Sequence, residues 1–120
     1  MPKILIIDDD VNTTTLMDSV FSKAGYEIRT TNYSSNAVSE AIAGHPDLII
    51  VDLMMPEIDG IATCKALQAE PQTQKIPILV FSAVGDVQKK VEAFKAGAKD
   101  FIIKPIHIEE LKSRINTWLG

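Results

Sequence analysis

Four short runs of apolar residues divide the chain, and each run is continuous rather than alternating with polar residues. They cover residues 4–7, 48–51, 78–81 and 101–103 and are rich in β-branched side chains. Such runs are typical of strands buried on both faces, as in a parallel sheet. A fifth segment, residues 26–31, is more polar. It places Tyr26, Ile28 and Thr30 on one side and Glu27 and Arg29 on the other, which predicts an edge strand.

The stretches between these runs are amphipathic and predict helices that pack on the sheet. Gly25, Gly44 and Gly97 are predicted helix ends, and Asp86 is a predicted N-cap. Each predicted helix has an apolar stripe that we expect to be buried. In chain order the stripes are Leu16, Val20 and Ala24; Ala37, Val38, Ala41 and Ile42; Ile61, Cys64 and Leu67; Val87, Val91 and Phe94; and Ile108, Leu111, Ile115 and Trp118.

Five strands that alternate with five helices predict parallel βαβ units with right-handed crossovers. The expected fold class is α/β, a flavodoxin-like doubly wound (βα)5 fold with a five-stranded parallel sheet in the order 2-1-3-4-5. The edge-like second strand fits that order. With 120 residues the chain has the length of one domain, so we expect residues 1–120 to form a single domain.

Polar residues follow the inner apolar runs directly. Asp8 and Asp9 follow the first run, Asp52 the second, Ser82 the third and Lys104 the fourth. In an open parallel sheet these positions lie along the carboxyl edge, where such folds bind ligands. The pattern therefore predicts three carboxylates, one hydroxyl and one ammonium group in one cleft.

This set of charged groups indicates a metal site. Three carboxylates and one lysine sum to −2 when all are ionised, and like carboxylates at close range disfavour joint ionisation. A divalent cation relieves that conflict, and oxygen ligands without nearby His or Cys favour Mg²⁺ (or Mn²⁺) over Zn²⁺. A metal, a carboxylate nucleophile and a positioned lysine together predict phosphoryl transfer to an aspartate.

Composition excludes several other classes of protein. The chain has 12 basic and 16 acidic residues, a net charge of −4, which argues against direct nucleic-acid binding. Cys64 is the one cysteine, so an intrachain disulfide and a multi-cysteine zinc site are excluded. We find no apolar run long enough to insert into a membrane, no signal peptide and no Gly-rich nucleotide loop after the first strand. The expected location is cytoplasmic.

Taken together, the residues at the strand ends resemble a response-regulator receiver domain of two-component signalling systems, in the CheY-like superfamily. The resemblance covers essentially the whole chain. Each motif is weak alone, but all of them occur in the family's order on the predicted strand ends. They are Asp8-Asp9, then Asp52-Leu53-Met54-Met55-Pro56 with Gly60, then Ser82-Ala83, and last Lys104-Pro105.

The resemblance implies a phosphoacceptor site. Asp52 would accept a phosphoryl group from a phosphohistidine, and Asp8 and Asp9 would hold Mg²⁺ together with Asp52 and the backbone carbonyl of Met54. Lys104 would contact the phosphoryl oxygens.

The resemblance also implies a switch that reads the phosphorylated state. Ser82 would be the switch hydroxyl, and Phe101 the switch aromatic, at a position where many relatives have Tyr. The peptide bond between Lys104 and Pro105 would be cis, an isomer that proline chemistry allows.

The implied partners are a sensor histidine kinase or a histidine phosphotransfer protein, which would dock near residues 12–16 and the loop after Lys104. The implied output surface comprises the fourth helix, fifth strand and fifth helix. It would contact an unidentified output partner, and the resemblance leaves open a weak homodimer through the same elements. We expect no enzyme activity beyond self-phosphorylation and self-dephosphorylation.

Two alternatives remain. Asp8 and Asp10 also fit the nucleophile and acid of a haloacid-dehalogenase-type phosphatase. The chain has no room for that family's capping elements, and Pro56, Gly60 and Lys104-Pro105 would be unexplained. A non-phosphorylated receiver-like interaction module is the other. The intact acidic set argues against it.

Overall fold

A computed structural model describes residues 1–83, 85–105 and 107–119. Strands and helices alternate along these residues, and a short 3-10 turn, Ser34–Asn36, leads into the second helix. The strands are β1 (Lys3–Ile7), β2 (Glu27–Thr31), β3 (Leu48–Asp52), β4 (Ile78–Ser82) and β5 (Asp100–Ile103). The helices are α1 (Val11–Lys23), α2 (Ala37–Gly44), α3 (Gly60–Ala69), α4 (Val87–Lys95) and α5 (Ile108–Leu119).

The sheet has the order β2-β1-β3-β4-β5, and every pairing in it is parallel. This confirms the predicted flavodoxin-like fold and the edge position of the polar second strand. The register pairs Ile7 with Val51, Asp52 with Phe81, and Ser82 with Ile103. β1, β3, β4 and β5 therefore end at nearly the same level, and the residues that follow these strands share one edge of the sheet.

Alternation along each inner strand divides the core into two layers. Leu5 and Ile7 of β1 belong to the buried cluster under α2, α3 and α4. Ile4 and Ile6 belong to the cluster under α1 and α5. Residues 4–7, β3 and β4 are buried on both faces, which explains why they read as continuous apolar runs. The fourth run differs from the prediction, because β5 is an edge strand and its Ile103 is 42% exposed. Among the described residues, no helix combines the length and apolar character that a bilayer span requires.

The predicted buried face of α1 is wrong. The helix buries Thr14, Met17 and Phe21, whereas Leu16 is 58% exposed. Both sets of residues have helical spacing, so periodicity alone does not choose between them. The aromatic ring of Phe21 determines which face is buried, because it packs edge-to-face on Tyr26 with ring centroids 5.8 Å apart.

The predicted buried face of α4 is also wrong. Val87, Val91 and Phe94 are between 42% and 77% exposed. The residues turned toward the sheet are Ala93 and, just past the helix, Ala96. Small side chains let the helix backbone approach the sheet closely, and the larger apolar residues then face outward.

Two glycines end helices as predicted. Gly25 and Gly97 have φ of +101° and +110°, the left-handed region that favours glycine after a helix. Asp86 caps α4 as predicted, because its side chain accepts a hydrogen bond from the Lys89 N–H.

Gly44 also ends its helix as predicted, although it does not itself take the left-handed conformation. It is the last residue of the helix, and His45 takes the positive φ of 47°. A Cβ at Gly44 would lie 2.9 Å from Cδ of Arg29. Gly44 therefore leaves space for the Arg29 side chain of the neighbouring strand β2, and His45 provides the left-handed residue.

The remaining stripes are largely buried as predicted, although Trp118 at the end of α5 is partly exposed. Its Nε1 donates to Asp100 Oδ2 at 3.3 Å, and Arg114 forms an ion pair with the same carboxylate at 2.9 Å. The buried members of these stripes are Ala37 and Ala41 of α2, Cys64 and Leu67 of α3, and Leu111 and Ile115 of α5.

The corrected face of α1 gives a paired test. Met17→Ala should lower the free energy of unfolding by about 2–5 kcal/mol, because it removes a buried side chain and leaves a cavity. Leu16→Ala should lower it by less than about 1 kcal/mol, because that side chain is mostly in solvent. Urea unfolding followed by circular dichroism measures both values. A larger loss for Leu16→Ala would contradict the assigned face.

Candidate functional site

The carboxyl edge of the sheet brings the strand-end residues together. Asp8, Asp9 and Asp52 each offer a carboxylate oxygen, and these oxygens lie within 4.8 Å of one another. Asp8 and Asp52 are buried, whereas Asp9 is exposed. Lys104 approaches from the end of β5, with its Nζ 3.6 Å from Asp52 Oδ1.

Asp8 is fixed by partners on both carboxylate oxygens. Its Oδ1 accepts a hydrogen bond from the Asp10 N–H at 2.9 Å, and its Oδ2 accepts one from Lys104 Nζ at 3.0 Å. The side chain follows the last residue of β1, so the strand sets its position and the first turn of the following loop sets its orientation.

Asp10 is the N-cap of α1. Its carboxylate accepts hydrogen bonds from the Thr13 hydroxyl at 3.0 Å and the Asn12 N–H at 2.9 Å. These two bonds hold the pKa of Asp10 below its ordinary value. Asp10 lies outside the carboxylate cluster found among the described residues. Its interactions are those of a helix cap rather than of a proton-donating acid.

The ammonium group of Lys104 faces the carboxylates of Asp8 and Asp52. Burial alone would lower the pKa of Lys104, but the hydrogen bond to Asp8 and the charges of Asp8 and Asp52 outweigh burial and raise it. The side chain therefore stays protonated at neutral pH. Its Nζ also lies 5.1 Å from the centroid of the Phe81 ring. The peptide bond between Lys104 and Pro105 is cis.

Ionisation of the Asp52 carboxyl group is costly in this site. Burial, followed by the charge of Asp8, raises the pKa of Asp52 to about 7, although Lys104 acts in the opposite direction. Without added positive charge, this site therefore retains a proton near neutral pH. Carboxylate oxygens with a negative balance of charge are the donor set that Mg²⁺ or Mn²⁺ prefers, so the residues fit such an ion.

Gly60 shapes the loop that follows Asp52. Its N–H donates to Leu53 O at 2.8 Å, and a Cβ at this position would lie 2.6 Å from Asp52 O and 2.6 Å from Leu53 Cα. The chain can return so close to the end of β3 because residue 60 has no side chain. Within this loop the Met54 side chain is exposed and Met55 is buried, which leaves the Met54 side chain uncommitted.

Ser82 ends β4 at the carboxyl edge of the sheet, whereas Phe101 lies within β5 and pairs with Val80. Ser82 is fully buried, and its carbonyl accepts a hydrogen bond from the Lys104 N–H at 2.7 Å. The ring of Phe101 is already inside and shares its buried cluster with Ala93. A backbone hydrogen bond therefore links Ser82 to the residue that contacts the carboxylates.

Asn32 and Ser34, in the loop after β2, contact the loops of the site although no sequence motif predicts a role for them. The Asn32 amide donates to Asp8 O at 2.8 Å, and the Ser34 hydroxyl accepts from the Ile58 N–H at 2.9 Å. A signal for them exists in the sequence, because polar residues also follow the edge strand at its carboxyl end.

Comparison with known proteins decides the family. The family model for the response regulator receiver domain matches residues 4–116 of this chain. The chain belongs to the response regulator receiver family. Members of this family are phosphoacceptor domains in two-component signalling, and neither the phosphatase nor the inert-module alternative is favoured.

The relatives of this receiver include longer transcriptional regulators. It is 37% identical over 119 residues to the DNA-binding dual master transcriptional regulator RpaA of Synechocystis, covering 99% of this chain and 49% of that protein. It is 34% identical over 119 residues to the response regulator ArlR of Staphylococcus aureus, covering 99% and 53%. The receiver thus spans about half the length of the curated relatives it matches.

Solved structures show the same fold. The chemotaxis protein CheY4 of Vibrio cholerae superposes with a TM-score of 0.93 at 29% identity, and 98% of each chain is covered. The receiver domain of the Francisella response regulator 1452 gives a TM-score of 0.90 at 30% identity, covering 99% of this chain and 97% of that one.

The raised pKa of Asp52 predicts a pH-dependent stability. In the unfolded chain this carboxyl titrates near 3.8, and in the folded receiver near 7. Between these pH values the folded state holds a proton that the unfolded state has released, so the free energy of unfolding falls as pH rises from about 4 to about 7. Asp52→Asn should flatten this slope and, without divalent cations, stabilise the fold at pH 7.5 by about 1–4 kcal/mol.

Urea unfolding between pH 4 and pH 8 in the presence of a chelator measures the effect. Glu109→Gln is the matched control, since that carboxylate lies on α5 and is almost fully exposed. Parallel pH profiles for the wild type and Asp52→Asn would contradict the predicted titration.

Proposed function

We propose that this receiver accepts a phosphoryl group on Asp52 from the phosphohistidine of a sensor histidine kinase or a histidine phosphotransfer protein, in a reaction that requires Mg²⁺ or Mn²⁺. One observation carries the proposal. Asp52 is a buried carboxylate at the end of the central strand, with Lys104 on one side and the oxygens of Asp8 and Asp9 within 4.8 Å.

The proposed chemistry is a transfer between two nucleophiles. A carboxylate oxygen of Asp52 attacks the phosphorus, and the bond between phosphorus and the donor's imidazole nitrogen breaks. The electron pair of that bond returns to the ring, which takes up a proton from solvent. The product is an acyl phosphate on Asp52.

Other residues of this chain would bind the metal ion and the phosphoryl oxygens during the transfer. Asp8, Asp9, Asp52 and the backbone carbonyl of Met54 would hold the cation, which when bound supplies positive charge to the phosphoryl oxygens. Lys104 is held beside Asp52 by its hydrogen bond to Asp8, so it needs only a short movement to donate to a phosphoryl oxygen.

The conformational change that follows phosphorylation would be transmitted from Ser82 to α4. If the Ser82 hydroxyl bonds the new phosphoryl group, β4 moves at its end, and the hydrogen bond from Lys104 N–H to Ser82 O carries the movement to β5. Phe101 lies on β5 and shares its buried cluster with Ala93 of α4. Repacking there would reorient the exposed apolar residues of α4, which form the proposed output surface with β5 and α5.

The donor would dock beside Lys104. A cavity of about 260 Å³ opens between α1, the loop after β5 and α5, and its walls include Leu16, Phe81 and Pro105. The exposed Leu16 contributes apolar surface next to the phosphorylation site, which suits a helix of the donor protein. A weak homodimer would use the output surface instead, and the output partner itself is unidentified.

We propose that the domain transfers no group to a separate small-molecule substrate. Its chemistry is limited to its own phosphorylation and the later hydrolysis of its own acyl phosphate. The commitment of Asp10 to the N-cap supports this proposal, because a phosphatase of the haloacid-dehalogenase type needs an acid at that position.

Intact-mass spectrometry after incubation with acetyl phosphate and Mg²⁺ tests the phosphoacceptor. We expect one phosphoryl adduct on the wild type, none when a chelator replaces Mg²⁺, and none on Asp52→Asn. Asp8→Asn should slow formation of the adduct, because it removes a metal ligand and keeps the acceptor. Glu109→Gln should behave as the wild type.

Two outcomes would refute the proposal in favour of a named alternative. An adduct that persists in Asp52→Asn but disappears in Asp8→Asn would identify Asp8 as the nucleophile of a phosphatase. A wild type that forms no adduct and shows no binding of Mg²⁺ would be a receiver-like interaction module.

A further inference from the structure

The loop between β2 and α2, residues 32–36, contacts both loops that carry the proposed metal ligands. On one side, the Asn32 amide donates to Asp8 O at 2.8 Å and to Thr14 Oγ1 at 3.0 Å. One side chain thus ties the loop after β1 to the first turn of α1.

The hydrogen bond to Asp8 O fixes more than one residue. That carbonyl belongs to the peptide group between Asp8 and Asp9, and a peptide group is planar. Holding its oxygen therefore limits rotation of the backbone on both sides, where the two carboxylates are attached. The Asp8 N–H is fixed as well, because it donates to Thr31 O at 3.1 Å.

On its other side, the same loop holds the segment that follows Asp52. Ser34 is buried, and its hydroxyl oxygen accepts a hydrogen bond from the Ile58 N–H at 2.9 Å. The Ser35 hydroxyl donates to Glu57 Oε2 at 3.3 Å. The segment held in this way, residues 53–59, contains Met54, whose carbonyl is the proposed fourth protein ligand.

The two ligand-bearing loops are separated by open space beside this connection. A cavity of about 400 Å³ lies between them, with Asp9 and Val11 on one wall and Pro56 and Glu57 on the other. Asn32 and Tyr33 also line it. The loop after β2 therefore spans a gap between the loops.

We propose that Asn32 and Ser34 are positioning residues for the divalent cation, which set the spacing between the Asp8-Asp9 pair and the loop after Asp52. This inference rests on the proposed function, since it concerns the same cation. Neither side chain is a proposed ligand. Partners of ligands typically change metal affinity by about 10-fold to 100-fold when they are removed.

Urea unfolding at a series of Mg²⁺ concentrations tests this inference with two readouts from one data set. The free energy of unfolding without Mg²⁺ reports the structural cost of a substitution. Its rise with Mg²⁺ gives the dissociation constant, because a ligand that binds the folded state stabilises it according to its concentration relative to Kd. The variants are Asn32→Ala and Ser34→Ala.

Tyr26→Phe is the control for loss of stability. It removes the hydroxyl that donates to Asn116 Oδ1, at the opposite end of β2 from the metal site. We expect Asn32→Ala and Ser34→Ala to raise the Mg²⁺ dissociation constant about tenfold. Tyr26→Phe should lower the stability and leave that constant unchanged.

The outcomes separate this inference from the function on which it rests. If either variant loses stability but binds Mg²⁺ as tightly as the wild type, that residue is structural and its positioning role is overturned. The phosphoacceptor proposal would then still stand. If Mg²⁺ does not stabilise the wild type, both the positioning role and the metal-dependent function are overturned.

Discussion

Lys104 is shared by two buried carboxylates, at 3.0 Å from Asp8 and 3.6 Å from Asp52. One ammonium group does not neutralise the three acids of the cluster, so the carboxyl edge of the sheet keeps an excess of negative charge where burial makes that excess costly. The rest of the site follows from this imbalance. Burial, followed by the charge of Asp8, raises the pKa of Asp52, and the excess negative charge favours a divalent cation. The contact of Lys104 with Asp8 couples the end of β5 to the end of β1.

The sheet was predictable because its inner strands are buried on both faces and therefore stand out as continuous apolar runs. The helix faces of α1 and α4 were not. Two rows of residues on α1 have helical spacing, and the contact of Phe21 with Tyr26 selects the row that contains Thr14, Met17 and Phe21. α4 packs through Ala93, which a search for large apolar residues overlooks. In both helices tertiary packing decides what periodicity leaves undetermined.

Part of the candidate site was predictable from the sequence and part was not. The grouping of Asp8, Asp52 and Lys104 follows from topology, since parallel strands end at one edge whatever the loops do. The contacts of Asn32 and Ser34 depend on how three loops are folded, and no periodic pattern encodes a hydrogen bond between loops. The end of α2 at Gly44 was predicted, but the close approach of the Arg29 side chain to that glycine was not, because it depends on tertiary packing.

The small residues under α4 have a mechanical consequence. The buried residue of α4 is the small Ala93, and a longer contact with β5 comes from the Lys90 ammonium group, 6.0 Å from the centroid of the Phe101 ring. A helix that buries so small a side chain can shift as a rigid body with few changes of rotamer. One charge-assisted hydrogen bond at the phosphorylation site would contribute about 1.5–3 kcal/mol towards such a shift. The outer residues Val87, Val91 and Phe94 would travel with the helix, so a small displacement at the core is presented to solvent as a rearranged apolar surface.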